Sequence, residues 1–122
     1  MTLAFFVAGR ITNPLNGSHR HWSVRAKWAK SWRGNTCWIA KSKMREGGIY
    51  LMDAQPKRIK FLGNVVRLFD DDNFRAAMKP LRDGLQDAGV IHHDGPRCGH
   101  VFEYKQRVKR NDLGVTVVVE DL

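Results

Sequence analysis

The amino-acid sequence predicts a fold of mixed α/β (α+β) class. We expect a single domain with a mixed β-sheet flanked by helices, in the approximate order βαβαββ. Three observations predict this fold class. The chain has 122 residues, which suffice for one hydrophobic core but not for two. Its hydrophobic content of 43% is that of an ordinary globular protein. Apolar segments of strand-like composition alternate with stretches of helical periodicity.

The first half of the chain predicts a strand, a loop and a long helix. Residues 3–8 are apolar and predict the first strand, and residues 9–18, rich in Gly, Asn and Pro, predict a loop. A helical stretch follows over about residues 21–44, with Ser18 or Ser23 as its N-cap and a predicted break at Gly34-Asn35. Glycines at 47 and 48 and a proline at 56 bracket a short connection.

The second half predicts a strand, a helix and two further strands. Residues 57–69 are rich in Ile, Phe, Val and Leu and predict a long strand with a β-bulge at Gly63. A helix is expected to begin near residue 72 or 73 and to end at Gly89, with a kink or a junction of two short helices at Pro80. Residues 101–107 and 114–120 predict two strands, and the polar turn 109–112 suggests that they form a hairpin.

The charge of the chain predicts an acidic partner. Its 21 Lys and Arg against 12 Asp and Glu give a net charge of +9 and a pI near 10.1. Residues 1–46 contain nine Lys or Arg and a single acid, Glu46. We therefore expect nucleic acid as the partner, ahead of an anionic membrane surface. The alternative is a basic surface that serves only solubility.

The sequence also argues against several classes of protein. Two cysteines, Cys37 and Cys98, are too few for a disulfide scaffold in a chain that can build a core. The apolar start is short and has neither a basic segment nor a clear cleavage site, so it indicates a strand and not a signal peptide. No apolar run approaches the roughly 20 residues that span a bilayer. We therefore expect a reduced, cytoplasmic protein without a membrane segment.

An acidic cluster stands out in this basic chain. Asp70, Asp71 and Asp72 are consecutive, and Asp94 follows the second helix. At the end of an extended strand, Asp70 and Asp72 would point to the same side, and Asp94 could return to the same end of the sheet. Three such carboxylates suit Mg²⁺, and Lys79, seven residues after Asp72, could neutralise charge on a phosphate. The alternative is that the acids only cap a helix and complement its dipole.

The same residues carry a resemblance to a known family. A set of residues between positions 70 and 94 carries it, namely the Asp70–Phe74 segment, Lys79, Asp83, Leu85, Ala88-Gly89 and the pair His93-Asp94. This set is similar to the signature of the RusA family of Holliday-junction resolvases. That signature is an Asp-x-Asp-Asn motif that opens a helix, a lysine within the helix, and an Ala-Gly turn before a pair of acids. The resemblance is good over residues 67–94 and loose elsewhere, chiefly through Asn16 and the segment from His21 to Arg25.

The resemblance implies a function and a set of site residues. Asp70, Asp72 and Asp94 would be catalytic acids that bind Mg²⁺, with Mn²⁺ as a possible substitute, and Lys79 would be the catalytic lysine. The family acts as a homodimer that binds four-way DNA junctions and cuts two strands symmetrically, and many members come from phages and prophages in bacterial hosts. Two features depart from the family: the spacing from Asn73 to Lys79 is about three residues longer than in its bacterial prototype, and His93 replaces an acid.

Two further groups of residues invite a functional interpretation. His92, His93, Cys98 and His100 lie close together in sequence, but no second pair of ligands appears at zinc spacing, which favours ordinary polar roles. Four tryptophans at 22, 28, 32 and 38 cannot share one helical face, so we expect at least two in the core. The interleaved basic and polar residues are the better candidates for DNA contact; these are Asn16, Arg20, His21, Arg25, Lys27, Lys30 and Arg33.

Together these features predict a Mg²⁺-dependent, structure-selective endodeoxyribonuclease that resolves four-way junctions by paired strand cleavage. Two alternatives stay open. One is a basic DNA-binding module without catalytic activity, in which the acids are only a helix cap. The other is a nuclease of a different branched or single-stranded DNA. The effect of neutralising Asp70 or Asp94 would separate the first alternative from an enzyme.

Overall fold

A computed structural model describes residues 2–12, 22–48, 55–92, 95 and 98–122, with the backbone alone for residues 22 and 23. The elements follow the predicted order, βαβαββ, so the fold class is confirmed. They are β1 (Thr2–Ala8), α1 (Trp22–Glu46), β2 (Lys57–Val65), α2 (Asp71–Asp87), β3 (Val101–Val108) and β4 (Gly114–Asp121). Within the described ranges, no helix is both long and apolar enough to cross a membrane.

The four strands form one mixed sheet in the order β1-β4-β2-β3. β4 is antiparallel to both of its neighbours, whereas β2 and β3 are parallel, and α2 supplies the crossover that a parallel pair requires. The predicted hairpin of β3 and β4 is therefore wrong, although a turn does join them. The apolar strand β4 occupies the interior of the sheet, where its core-facing valines are fully buried, and the more polar β3 lies at the edge.

Both helices cover the same face of the sheet. On that face the registered rows Leu3, Val119 and Ile59, then Phe5, Val117 and Phe61, are buried against the helices. The opposite face carries charged side chains that pair across strands, including Lys60 with Glu120 at 3.0 Å. The domain is thus a two-layer structure with its core between sheet and helices.

α1 is continuous through Gly34, so the predicted break at Gly34-Asn35 is wrong. The helix buries Trp32, Thr36 and Ala40 on one side. This tertiary packing outweighs the penalty of about 1 kcal/mol that a glycine brings to a helix interior.

β2 ends at Val65, four residues earlier than predicted, and it has no bulge at Gly63. Gly63 pairs in unbroken register with Val115 on one side and Gln106 on the other. Its role is to make room for an aromatic ring, because a Cβ atom at this position would lie 2.5 Å from Phe74 Cε1. The glycine therefore marks a close contact between β2 and α2.

α2 is a single helix that runs through Pro80, so the predicted junction of two short helices is wrong. Buried residues on both sides of the proline, among them Met78 and Leu81, hold the helix together. The predicted ending at Gly89 is confirmed. Gly89 has a φ of 80°, its N–H donates to Gln86, and the N–H of Val90 donates to Leu85, which is a Schellman motif.

Candidate functional site

The acidic cluster forms the N-terminus of α2. Asp70 is the N-cap residue, with φ −60° and ψ 149°, and its carbonyl oxygen accepts the N–H of Phe74 at 2.9 Å. Asp71 and Asp72 belong to the first turn, and all three side chains are exposed. The expected strand-like alternation of Asp70 and Asp72 is wrong, because β2 has already ended at Val65 and the chain is helical from Asp71 onward.

The three carboxylates are not used for capping or for ion pairs within the described structure. Asp70 sits at the N-cap, yet its side chain makes no capping hydrogen bond. Neither Asp71 nor Asp72 forms a salt bridge with any described residue. The dipole at the start of a helix favours carboxylates by about 0.3–1 kcal/mol each, which helps three of them to coexist. Their oxygens are therefore available to a ligand from outside the chain.

The segment before the cluster is held by Gln106 on β3. The side-chain amide of Gln106 accepts the N–H of Phe69 at 2.9 Å and donates to the carbonyl oxygen of Phe69 at 2.7 Å. This pair of hydrogen bonds fixes the residue immediately before Asp70. The sequence carried a faint signal for it, since Gln106 continues the core-facing alternation of Phe102 and Tyr104 with a polar side chain.

Lys79 lies on the outer side of α2, on the same side as Asp72. The residues Asp72, Ala76, Lys79 and Asp83 recur at spacings of four, three and four, as residues on one side of a helix do. Along the helix axis, Lys79 is about 10.5 Å from Asp72. Its ammonium group contacts Asp83 at 2.9 Å. Because α2 is one continuous helix, the seven-residue spacing places Lys79 on the same side as Asp72, as predicted.

A groove between α1 and α2 brings Lys79 together with another predicted site residue, Arg25. The groove encloses about 440 Å³ between the start of α1 and the outer side of α2. Arg25 and Trp28 line it from α1, and Lys79 and Asp83 line it from α2. Two cations and one acid therefore face an otherwise largely apolar groove.

Asp94 lies outside the described residues, as do Asn16, Arg20, His21 and His93, so their predicted roles stay predictions. Among the residues that are described, no three His, Cys, Asp or Glu side chains are placed to hold one metal ion. Asp70 and Asp72 supply exposed carboxylate oxygens, which are the donors that Mg²⁺ prefers. The donor chemistry of these two residues fits the predicted ion.

The predicted DNA-binding residues of α1 divide into two groups. Arg25, Lys27 and Lys30 are exposed. Arg33 instead makes a bidentate contact with Asp87 on α2, at 2.6 Å and 2.9 Å. The hydrogen bond with Arg33 holds the pKa of Asp87 below its usual value, and the same bond raises the pKa of Arg33. Arg33 therefore joins the two helices, and its predicted contact with DNA is untested.

The tryptophans of α1 have different environments, as their spacing predicted. Trp32 is buried, and Trp28 packs against the core with its ring centroid 5.6 Å from that of Trp32. Trp38, in contrast, has 71% of its surface exposed. One tryptophan, Trp32, therefore belongs to the core and Trp28 packs against it, so the prediction of at least two core tryptophans is confirmed only in part.

The cysteines and histidines near the end of α2 have structural roles where they are described. His100 Nδ1 accepts the backbone N–H of Lys57 at 3.0 Å, and the N–H of His100 donates to Cys98 Sγ at 3.3 Å. Both cysteines are free thiols. The first contact joins the starts of β2 and β3, and the second lies within the segment that leads into β3.

Comparison with known proteins does not assign the chain to a family. No family model matches the sequence, and no curated protein matches it either. Membership of the RusA family therefore remains a prediction from the motif in residues 67–94.

Proposed function

We propose that this protein is a Mg²⁺-dependent, structure-selective endodeoxyribonuclease of the RusA type that resolves four-way DNA junctions. The observation that carries the proposal is the start of α2, where the exposed carboxylates of Asp70, Asp71 and Asp72 have no partner among the described residues. A helix cap needs one acceptor, and here the side chain at the N-cap does not cap at all. Carboxylates that the fold leaves unused are well suited to a cation.

Each residue has a definite role in the proposal. Asp70, Asp72 and Asp94 would hold Mg²⁺, or Mn²⁺ in its place, through carboxylate oxygens. The bound ion would supply Lewis-acid polarisation of the scissile phosphate and lower the pKa of an attacking water. Lys79, on the same side of α2 as Asp72, would stabilise the negative charge that develops on the phosphate.

The charge of the protein supports DNA as the substrate. The net charge of +9 attracts a polyanion, and Arg25 lines the same groove as Lys79. A phosphodiester backbone lying along this groove would pass from Arg25 towards the carboxylates at the start of α2. Since the substrate would be bacterial or phage DNA, the proposal places the protein in the cytoplasm of a bacterial cell.

The proposal is tested by cleavage of a synthetic four-way junction labelled on each strand in turn. We expect paired cuts at symmetry-related positions in the presence of Mg²⁺, and none with a chelator. If the protein binds the junction but makes no cut even with Mg²⁺, the result would instead support the basic DNA-binding module. Stronger cleavage of a flap or a single strand than of the junction would support the nuclease alternative.

Paired cutting requires two copies of the site, so the proposal includes a homodimer. A two-fold axis places two identical sites at equivalent positions on a four-way junction. Sedimentation equilibrium is expected to give twice the chain mass of 14.0 kDa. A monomer that still cuts both strands symmetrically would remove this part of the proposal.

A further inference from the structure

The side of α1 that faces away from the core forms a continuous exposed stripe. Its residues recur at spacings of four, three, four, three and four, which keeps them on one side of the helix. All of them are exposed, and they lie opposite Trp32, Thr36 and Ala40, which are buried. The stripe, called here the outer stripe of α1, consists of Lys27, Ser31, Gly34, Trp38, Lys41 and Arg45.

The charged residues of the outer stripe are all cations. Lys27, Lys41 and Arg45 form no salt bridge with a described residue. The nearby acids are already engaged, since Asp87 binds Arg33 at 2.6 Å and Glu46 contacts Lys43 at 3.5 Å. Asp87 is near enough to Lys41 to interact with its charge but forms no salt bridge with it, so the described part of the chain compensates the positive charge of the stripe only in part.

Gly34 is unexplained by the packing of the protein. Apart from its chain neighbours and the backbone of its own helix, no described atom would lie within 4 Å of a Cβ atom at Gly34. At Gly84 on α2, in contrast, a Cβ would lie 2.6 Å from the carbonyl oxygen of Arg33. A glycine in a helix interior is less favourable than an alanine at the same position. An external group that approaches the helix backbone closely would account for its presence.

Trp38 lies one turn beyond Gly34 and is the most exposed large apolar side chain among the described residues, at 71%. An indole ring offers a flat face to the bases or sugars of a nucleic acid, and this contact does not depend on the base sequence. One side of α1 thus combines a position without a side chain, an exposed aromatic ring and flanking cations.

We infer that the outer stripe of α1 docks one arm of the DNA substrate through its sugar–phosphate backbone. The identity of the ligand as DNA rests on the proposed function. From Lys27 to Arg45 the stripe is about 27 Å long, which matches about eight base pairs of duplex. The phosphates are contacted by Lys27, Lys41 and Arg45. Gly34 lets the DNA backbone lie close to the helix, and Trp38 packs against a sugar or an end base. A second copy of the chain fits poorly, because two such stripes would repel each other.

Fluorescence anisotropy with a labelled 30-base-pair duplex and with a four-way junction, both in chelator, tests the inference. The double variant K27Q/K41Q is expected to flatten the slope of log K against log salt concentration by about 0.9 for each lysine. The matched control K60Q removes a lysine from the uncovered face of the sheet and leaves the slope unchanged. Trp38→Ala is expected to weaken binding about tenfold.

Gly34→Ala is the most informative variant, because the two readouts should change in opposite directions. Its melting temperature is expected to rise by about 4 °C from better helix propensity, while its affinity for DNA falls. Wild-type affinity for both Gly34→Ala and Trp38→Ala would overturn the inference. The inference would also be overturned if these variants lost DNA binding and sedimentation showed that a dimer had dissociated. The stripe would then be an interface between copies of the chain.

The outcomes also separate this inference from the proposed function. If the wild type cuts the junction but the K27Q/K41Q slope is unchanged, the outer stripe is not the docking surface and the enzyme proposal stands. If the slope flattens but no cut appears with Mg²⁺, the docking surface stands and the protein binds DNA without cleaving it.

Discussion

Gln106, a neutral side chain on β3, holds the backbone immediately before the acidic cluster. Its amide group forms one hydrogen bond with the N–H of Phe69 and one with the carbonyl oxygen of the same residue. Because Phe69 precedes Asp70, these bonds fix the backbone at the entry to α2. Gln106 is a positioning residue in the proposed function, since it acts through the backbone and not on the substrate.

We predict that Gln106→Glu destabilises the protein by about 1–3 kcal/mol. The carboxylate can still accept the N–H of Phe69 but cannot donate to its carbonyl oxygen, which is left facing another acceptor. Urea unfolding measures the loss, and Gln55→Glu, at an exposed position, is the matched control. Equal stability of Gln106→Glu and the wild type would mean that the two bonds do not hold this segment.

Some residues of the site were predictable from the sequence and others were not. The run Asp70–Asp72 and the spacing to Lys79 were visible because they depend on neighbours in the chain. The contact between Gln106 and Phe69 spans 37 residues, and that between Arg33 and Asp87 spans 54. Such contacts follow from the order of strands and the crossing of helices, which local patterns do not determine.

The crossing of α1 and α2 depends on a glycine and an ion pair. At Gly84 a Cβ atom would lie 2.6 Å from the carbonyl oxygen of Arg33 and 2.8 Å from Cβ of Thr36. The absence of a side chain at Gly84 therefore lets the helices touch. The bidentate contact of Arg33 with Asp87 lies beside this point and joins the same two helices.

Alanine at the two helix glycines is expected to have opposite effects on the free energy of unfolding. Gly84→Ala should destabilise the protein by about 1–3 kcal/mol, because the added methyl group overlaps the backbone of α1. Gly34→Ala, in open space, should stabilise it by about 1 kcal/mol. Thermal or urea unfolding of both variants gives the comparison, and the same sign at both positions would show that the helices do not pack as described.

The Arg33–Asp87 pair makes a pH-dependent contribution to stability. The hydrogen bond with Arg33 lowers the pKa of Asp87 in the folded state relative to its unfolded value, about 3.9. The stabilisation is therefore present above pH 4 and is lost as the pH falls through the folded-state pKa. Because the pair is more than a third exposed, we expect it to contribute at most about 1 kcal/mol.

Asp87→Asn tests this contribution. At pH 7 the variant should be less stable than the wild type by up to about 1 kcal/mol, and the difference should shrink steadily below pH 4. Urea unfolding across pH 2.5 to 7 measures it. A difference that stayed constant down to pH 2.5 would show that the ionisation of Asp87 is not its source.

The helices and strands were easier to predict than their arrangement. Periodicity and composition gave the order βαβαββ, because each element shows its own pattern in the sequence. The insertion of β4 between β1 and β2 was missed, since a short polar turn usually joins neighbouring strands. The glycines at 34 and 63 were misread for a related reason, because their roles depend on what lies across from them. No described side chain faces Gly34, whereas the ring of Phe74 faces Gly63.

The charges of the protein are distributed unequally between its two layers. On the uncovered face of the sheet, Arg58 lies near Glu103 at 3.7 Å and Lys60 pairs with Glu120 at 3.0 Å. Lys105 and Arg107 of β3 lie on the same face and form no salt bridge with a described residue. The outer side of α1 carries cations without salt-bridge partners in the described chain, whereas α2 begins with three exposed acids. In the proposed function, DNA lies on the helical layer, where the acids at the start of α2 are exposed.

Comparison of Asp72→Asn with the wild type, in cleavage and in binding of the same four-way junction, tests this account. With Mg²⁺, we expect cleavage by the variant to fall by at least about 100-fold. In chelator its affinity should be equal or higher, because one negative charge facing the DNA is gone. Asp112→Asn, on the turn before β4, should match the wild type in both assays. Full cleavage by Asp72→Asn would contradict the account, because the acids at the start of α2 would then be a helix terminus and nothing more.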